Sequence, residues 1–159
     1  MDFSKKGGKM QKKLFKKLWQ FIFLLVVVNI VSGIAVAYMT TETMQWYDNL
    51  THSELNPPRW AFSIIWSILL LLQAIAGTIA WGRAHFRYFI AQLFLNTLWS
   101  FCFFYLKSPA LALAILILFL LALAANIHDF FKVSKRAGWL LIPTFLWGIF
   151  ALYLNAILI

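Results

Sequence analysis

The sequence predicts an all-α integral membrane protein, a bundle of five transmembrane helices with a long loop between the first helix and the second. Hydrophobic residues make up 63% of the 159 residues and charged residues only 12%, about half the charged share that is usual in soluble domains. The apolar residues also occur in long runs rather than alternating with polar ones. Such runs are typical of membrane spans.

Five apolar runs are long enough to cross a bilayer. A helix rises about 1.5 Å per residue, so about 20 residues cover a hydrocarbon core of roughly 30 Å. The connections after the second and third runs are short, which requires antiparallel neighbours and a compact bundle. The predicted spans are residues 18–39, 59–81, 86–106, 109–131 and 139–159.

Residues 1–17 form a basic tail that contains seven lysines and precedes the membrane domain of residues 18–159. The end of this tail is either a short amphipathic helix on an anionic membrane surface or a disordered topology anchor. The run that follows is a retained span rather than a signal peptide, because its roughly 22 residues exceed an h-region of about 7–15.

The distribution of basic residues predicts the orientation. With the N-terminus inside, twelve basic residues lie on the inner side, and only Arg59 and Lys107 lie on the outer side. The positive-inside rule then predicts a cytoplasmic N-terminus and an extracytoplasmic C-terminus in a bacterial cell membrane. Because these charges flank apolar runs instead of forming a basic face, no nucleic-acid partner is expected.

The stretch from residue 46 to residue 66, WYDNLTHSELNPPRWAFSIIW, contains three of the eight tryptophans and two of the four prolines. It includes most of the first connection, about residues 40–58, which is much longer than the others. Long loops in compact folds tend to carry function. This aromatic loop therefore predicts the rim of a binding pocket on the extracytoplasmic face.

Amides and indoles recur at helical spacing inside the spans. One interpretation is an inward wall for a large flat apolar ligand, and the other is interhelical hydrogen bonding with ordinary core packing. Spacing alone leaves both open. The three stripes are Trp66, Gln73 and Gly77 on the second span; Gln92, Asn96, Trp99 and Phe103 on the third; and Pro143, Trp147, Ala151 and Asn155 on the fifth.

Several functional classes are disfavoured by what the spans contain. No Asp, Glu, Lys or Arg lies clearly at mid-membrane, whereas ion pumps and coupled carriers normally keep an ionisable group there. His52, His85 and His128 are scattered without metal-ligand spacing, so no metal site is predicted. The residues also present no acid, base or nucleophile arrangement for conventional catalysis.

Four segments occur together in a recognisable order and spacing: WYDNL at 46–50, NPPRWAFSIIWSIL at 56–69, LNTLWSFCFF at 95–104 and PTFLWGIFALYLN at 143–155. With these segments the chain resembles the TspO/MBR family, the tryptophan-rich sensory proteins related to the mitochondrial translocator protein, the peripheral-type benzodiazepine receptor. The resemblance covers about residues 19–159.

The resemblance implies a five-helix bundle, often a homodimer, whose pocket opens toward the first loop and binds porphyrin, haem or related tetrapyrroles. Sterols and benzodiazepine-type drugs are ligands of some members. No obligatory cofactor is implied. The implied ligand-binding residues are Trp46, Pro57, Trp60 and Phe62 at the lid, Arg59 at the rim for a propionate, and Trp66, Asn96, Trp99, Trp147 and Ala151 within the pocket.

The function implied first is that of a receptor or sensor for such ligands in the membrane. Two alternatives stay open: a transporter of porphyrins or other small hydrophobic molecules, and a light-dependent porphyrin-degrading enzyme with Trp66 and Trp147 as candidate catalytic residues. The chain departs from the family at THSELN before the proline pair, at Leu69–Leu70 and at Pro143–Thr144, so ligand preference is left open.

Overall fold

The computed structural model describes residues 8, 11–23, 25, 26, 30 and 41–159, and the described residues form helices and turns without a strand. Residues 11–23 are helical and are named α1. The further helices are α2 (Thr41–Asp48), α3 (Arg59–Ala80), α4 (Phe86–Ser100, continued by the π-helix Phe101–Tyr105), α5 (Pro109–Val133) and α6 (Lys135–Ala156).

Among the described residues, four helices are long and apolar enough to cross a membrane: Trp60–Ala80, Phe86–Tyr105, Pro109–Val133 and Lys135–Ala156. The chain is therefore an integral membrane protein. The first predicted span, residues 18–39, lies largely outside the described residues, although 18–23, 25, 26 and 30 are helical there. The count of five spans accordingly stays a prediction.

The long first loop is corrected by the structure, because it contains the eight-residue helix α2. This helix is mostly polar, so hydropathy does not reveal it. Glu42 lies in its first turn, where a carboxylate interacts favourably with the helix dipole. Tertiary packing stabilises it as well, since Thr43 is buried and Trp46 packs against the core.

Helix α6 begins at Lys135, four residues before the predicted start of the fifth span at residue 139. Lys135 and Arg136 are charged and exposed, so they belong outside the hydrocarbon although they are helical. Ser134, with φ −160° and ψ 123°, is the single extended residue between α5 and α6. The other three apolar helices agree with their predicted bounds to within two residues.

The described helices pack as antiparallel neighbours, with α5 lying along both α4 and α6, and α3 against α6. Close approach depends on small residues: a Cβ at Gly148 would lie 2.7 Å from the Cδ2 atom of Leu120. A Cβ at Gly77 would lie 2.3 Å from the Cζ atom of Phe21. Phe21 is buried, and this contact therefore anchors α1 against the last turns of α3.

Candidate ligand-binding site

Aromatic side chains from α2, α3, α4, α5 and α6 form two sets of ring contacts toward the end of the bundle that carries the first loop. We call this group the aromatic cluster. Its members are Trp46, Phe62, Trp66, Trp99, Phe103, Phe119 and Trp147.

One line of ring contacts runs from the first loop into the bundle. The rings of Trp46 and Phe103 meet edge to face with centroids 5.9 Å apart. Phe103 stacks on Trp99 at 5.7 Å, and Trp99 lies 6.3 Å from Trp66. Helix α2 therefore brings Trp46 to the same line of rings as the two tryptophans predicted deeper in the pocket.

A second contact joins the beginning of α3 to α6. Phe62 meets Trp147 edge to face with centroids 5.6 Å apart. Phe62 lies one helical turn before Trp66, so the two α3 residues share a face. Trp66 also contacts Phe119 of α5 at 6.4 Å.

The hydrogen bonds of the two indoles differ. Trp99 Nε1 donates to Asn155 Oδ1 across 3.1 Å, so this donor is already used within the bundle. Trp147 Nε1 is buried, and among the described residues it has no hydrogen-bond acceptor. A buried donor left unpaired costs about 1–3 kcal/mol, so an acceptor placed beside Trp147 Nε1 would be favourable.

Asn96 and Ala151 are buried, with 9% and 3% of their surfaces exposed. The side-chain amide of Asn96 makes no hydrogen bond to another part of the chain that the structure describes, whereas its backbone oxygen accepts from Ser100 Oγ. Ala151 lies on the buried face of α6, one turn after Trp147. Both residues are therefore placed on inward faces, as the helical spacing predicts.

The predicted lid residues are more dispersed. Pro57 is half-buried, whereas Trp60 is 67% exposed and makes no ring contact with another residue that the structure describes. Arg59 is the first residue of α3, and its side chain is not among those described. Their contact with a ligand stays a prediction.

Hydrogen bonds organise the remainder of the loop around Tyr47. His52 Nε2 lies 2.9 Å from the backbone oxygen of Tyr47, to which it donates, and the two rings are 4.7 Å apart. Asn56 Nδ2 donates to Tyr47 Oη across 3.3 Å. The loop is also tied to the bundle by an ion pair of 2.9 Å between Lys107 and Glu42. The sequence offered little sign of these roles, since the WYDNL segment pointed to Tyr47 only as part of a motif.

The polar residues of the stripes divide between the two interpretations. Gln73 Nε2 donates to Thr144 Oγ1 across 3.4 Å, and Gln92 Nε2 donates to Gln73 Oε1 across 3.2 Å. These amides therefore link α3, α4 and α6.

Pro143, expected on the inward face of α6, is exposed. The residues buried on that helix include Thr144 and Gly148. Within the described ranges, no group of three His, Cys, Asp or Glu residues is placed to hold a metal ion.

Comparisons of the sequence with known proteins identify relatives of the chain. The model of the TspO/MBR family matches residues 21–159. The chain is 36% identical over 115 residues to a tryptophan-rich sensory protein of Cereibacter sphaeroides, covering 70% of this chain and 73% of that protein. It is 34% identical over 133 residues to the tryptophan-rich protein TspO of Chlorobaculum tepidum, covering 77% and 84%.

A mammalian protein is also similar. The translocator protein of Bos taurus is 29% identical over 127 residues, which cover 74% of this chain and 75% of that protein. The family match extends over nearly all of the membrane domain, including every helix that contributes to the aromatic cluster. The chain therefore belongs to the TspO/MBR family.

Proposed function

We propose that this protein is a membrane receptor or sensor that binds a porphyrin, haem or a similarly flat hydrophobic molecule in the aromatic cluster. The observation that carries the proposal is the buried Trp147 Nε1, which has no acceptor in the described part of the chain. A ligand with a carbonyl, a carboxylate or an accepting ring atom would satisfy this donor, and the neighbouring rings would supply apolar contact.

Binding requires the cluster to open. Phe62 and Trp147 are in ring contact, so a macrocycle reaching Trp147 would have to separate α3 from α6 at their outer ends. Trp46 of α2 packs on the same cluster. The hydrogen bonds around Tyr47 in the first loop would therefore have to rearrange as well. In this proposal Arg59, at the start of α3, pairs with a propionate at the rim.

The direct test is titration of the purified full-length protein with protoporphyrin IX while tryptophan fluorescence is followed. We expect saturable quenching, because the cluster contains four of the eight tryptophans. The control is the same titration of N-acetyltryptophanamide in empty detergent micelles. Quenching of the protein no stronger than this control would rule out the proposed binding.

The same complex distinguishes the receptor from its two alternatives. Light-dependent loss of the porphyrin Soret band, abolished in Trp66→Phe, would identify a degrading enzyme. Protein-dependent accumulation of porphyrin in sealed proteoliposomes would identify a transporter. A receptor or sensor binds porphyrin without either effect.

A further inference from the structure

A groove of about 720 Å³ lies between α1 and the last turns of α3. This volume falls within the roughly 300–1,000 Å³ of typical small-ligand sites. The groove and the aromatic cluster lie toward opposite ends of α3. The residues of α3 that line the groove lie in the turns just before Ala80, whereas the cluster residues of α3 lie in its first two turns. The groove therefore belongs to the predicted inner end of the bundle.

The two edges of the groove on α1 differ in chemistry. Lys12 and Lys16 lie one turn apart and share one edge, whereas Leu14 and Leu18 share the other. Across from them, Ile75 and Ile79 add an apolar wall from α3. The groove thus combines an apolar channel with a pair of positive charges along one side.

The charges around this end of the bundle are mostly positive. Arg83 and Arg87 follow α3, and Lys135 and Arg136 begin α6 at the same end. Among the described residues, Asp129 is the acidic residue of this end, and it already has Lys132 at 3.5 Å and His85 Nδ1 at 3.7 Å. Lys12 and Lys16 therefore face no described carboxylate that would compete for them.

We propose that this groove binds an anionic phospholipid of the inner leaflet, with an acyl chain along Leu14, Leu18 and Ile75 and the phosphate between Lys12 and Lys16. The helix that forms it has the character of an interfacial helix, since Leu14 and Phe15 are more than half exposed beside the lysines. Each lysine near an anionic surface strengthens binding by about fivefold.

The test compares phosphatidylglycerol with phosphatidylcholine. Full-length protein is placed in nanodiscs that contain brominated lipid of one kind, and quenching of its tryptophan fluorescence is measured. Trp19 lies on α1 and Trp81 beside it, so a lipid in the groove would quench both. Wild-type protein should be quenched at a severalfold lower mole fraction of brominated phosphatidylglycerol. The double variant Lys12→Gln/Lys16→Gln should lose this preference, since both residues are exposed and their replacement leaves the core intact.

The matched control is Lys135→Gln/Arg136→Gln, which removes the same charge from the same end of the bundle outside the groove. It should keep the preference for phosphatidylglycerol. If both double variants lose this preference equally, general surface electrostatics explains it and the proposed site is wrong. Ile75→Phe enlarges a side chain in the groove without changing charge or adding a tryptophan, and it should also abolish the preference. If that variant still prefers phosphatidylglycerol, the lipid does not bind in the groove.

Two further outcomes separate the lipid from other occupants. Inorganic phosphate should not displace brominated phosphatidylglycerol at equal concentration, because it lacks the acyl chain; displacement would overturn the proposal. The mass of the protein in detergent should be unchanged by Ile75→Phe. A change from dimer to monomer would show that a second copy covers the groove and would likewise overturn it.

Discussion

Trp99 of α4 and Asn155 of α6 are joined by a hydrogen bond of 3.1 Å from the indole Nε1 to the amide Oδ1. The amide nitrogen of Asn155 donates in turn to the backbone oxygen of Pro109, 2.9 Å away, at the start of α5. One side chain thus connects three transmembrane helices below the first loop. The indole N–H of Trp99 is therefore already hydrogen-bonded, whereas that of Trp147 has no acceptor among the described residues.

Asn155→Leu should lower the free energy of unfolding by about 2–4 kcal/mol, because it leaves the Trp99 donor and the Pro109 acceptor unpaired. Equilibrium unfolding in mixed micelles with increasing sodium dodecyl sulfate measures the change. Asn49→Leu removes an amide from an exposed position and should change stability by less than about 0.5 kcal/mol. Similar losses in the two variants would contradict the three-helix role of Asn155.

Asn126→Leu should leave stability unchanged or raise it by about 1 kcal/mol. Asn126 is fully buried, and neither end of its amide has a partner in the described structure, so an apolar side chain of similar size removes an unsatisfied group. Gln73→Leu is the contrasting change, because both ends of its amide are bonded, and it should destabilise by about 1–3 kcal/mol. The reverse ranking of the two variants would refute this description of the core.

Ala151→Phe should weaken porphyrin binding at least about tenfold, since Ala151 is only 3% exposed and a ring there overfills the inward face of α6. The affinity is obtained from the fluorescence titration. Ala156→Phe adds the same ring at an exposed position on the same helix and should bind porphyrin normally. Undiminished binding by Ala151→Phe would place the ligand elsewhere.

Asn56→Ala should loosen the first loop, because it removes the donor to Tyr47 Oη. Amide hydrogen exchange in residues 41–56 should become severalfold faster, while exchange in α5 stays the same. Glu54→Ala, an exposed change two residues away, serves as the control. Equal exchange in the two variants would show that this hydrogen bond does not order the loop.

The membrane helices were predictable because the bilayer thickness dictates how long an apolar run must be. Helix α2 was not, since eight mostly polar residues are stabilised by packing of Trp46 on Phe103 rather than by composition. The π-helix Phe101–Tyr105 was likewise not predictable, because a change of hydrogen-bond register leaves no trace in hydropathy.

The candidate site was predictable only at the level of helix faces. Periodicity placed Asn96 and Trp99 inward, and they are buried. It also placed Pro143 inward, although the buried face of α6 passes through Thr144 instead. Helical spacing cannot tell which amide bonds to which partner. Only the structure shows that the indole N–H of Trp99 is hydrogen-bonded, whereas that of Trp147 has no acceptor among the described residues.

The most direct test of the ligand-binding role is the protoporphyrin IX affinity of Trp147→Phe, which keeps an aromatic ring but removes the indole N–H. We expect a dissociation constant about tenfold higher than in the wild type. Trp139→Phe, an exposed tryptophan on the same helix, should bind as the wild type does. Equal affinities of Trp147→Phe and Trp139→Phe would contradict the assignment of Trp147 as the ligand's hydrogen-bond donor.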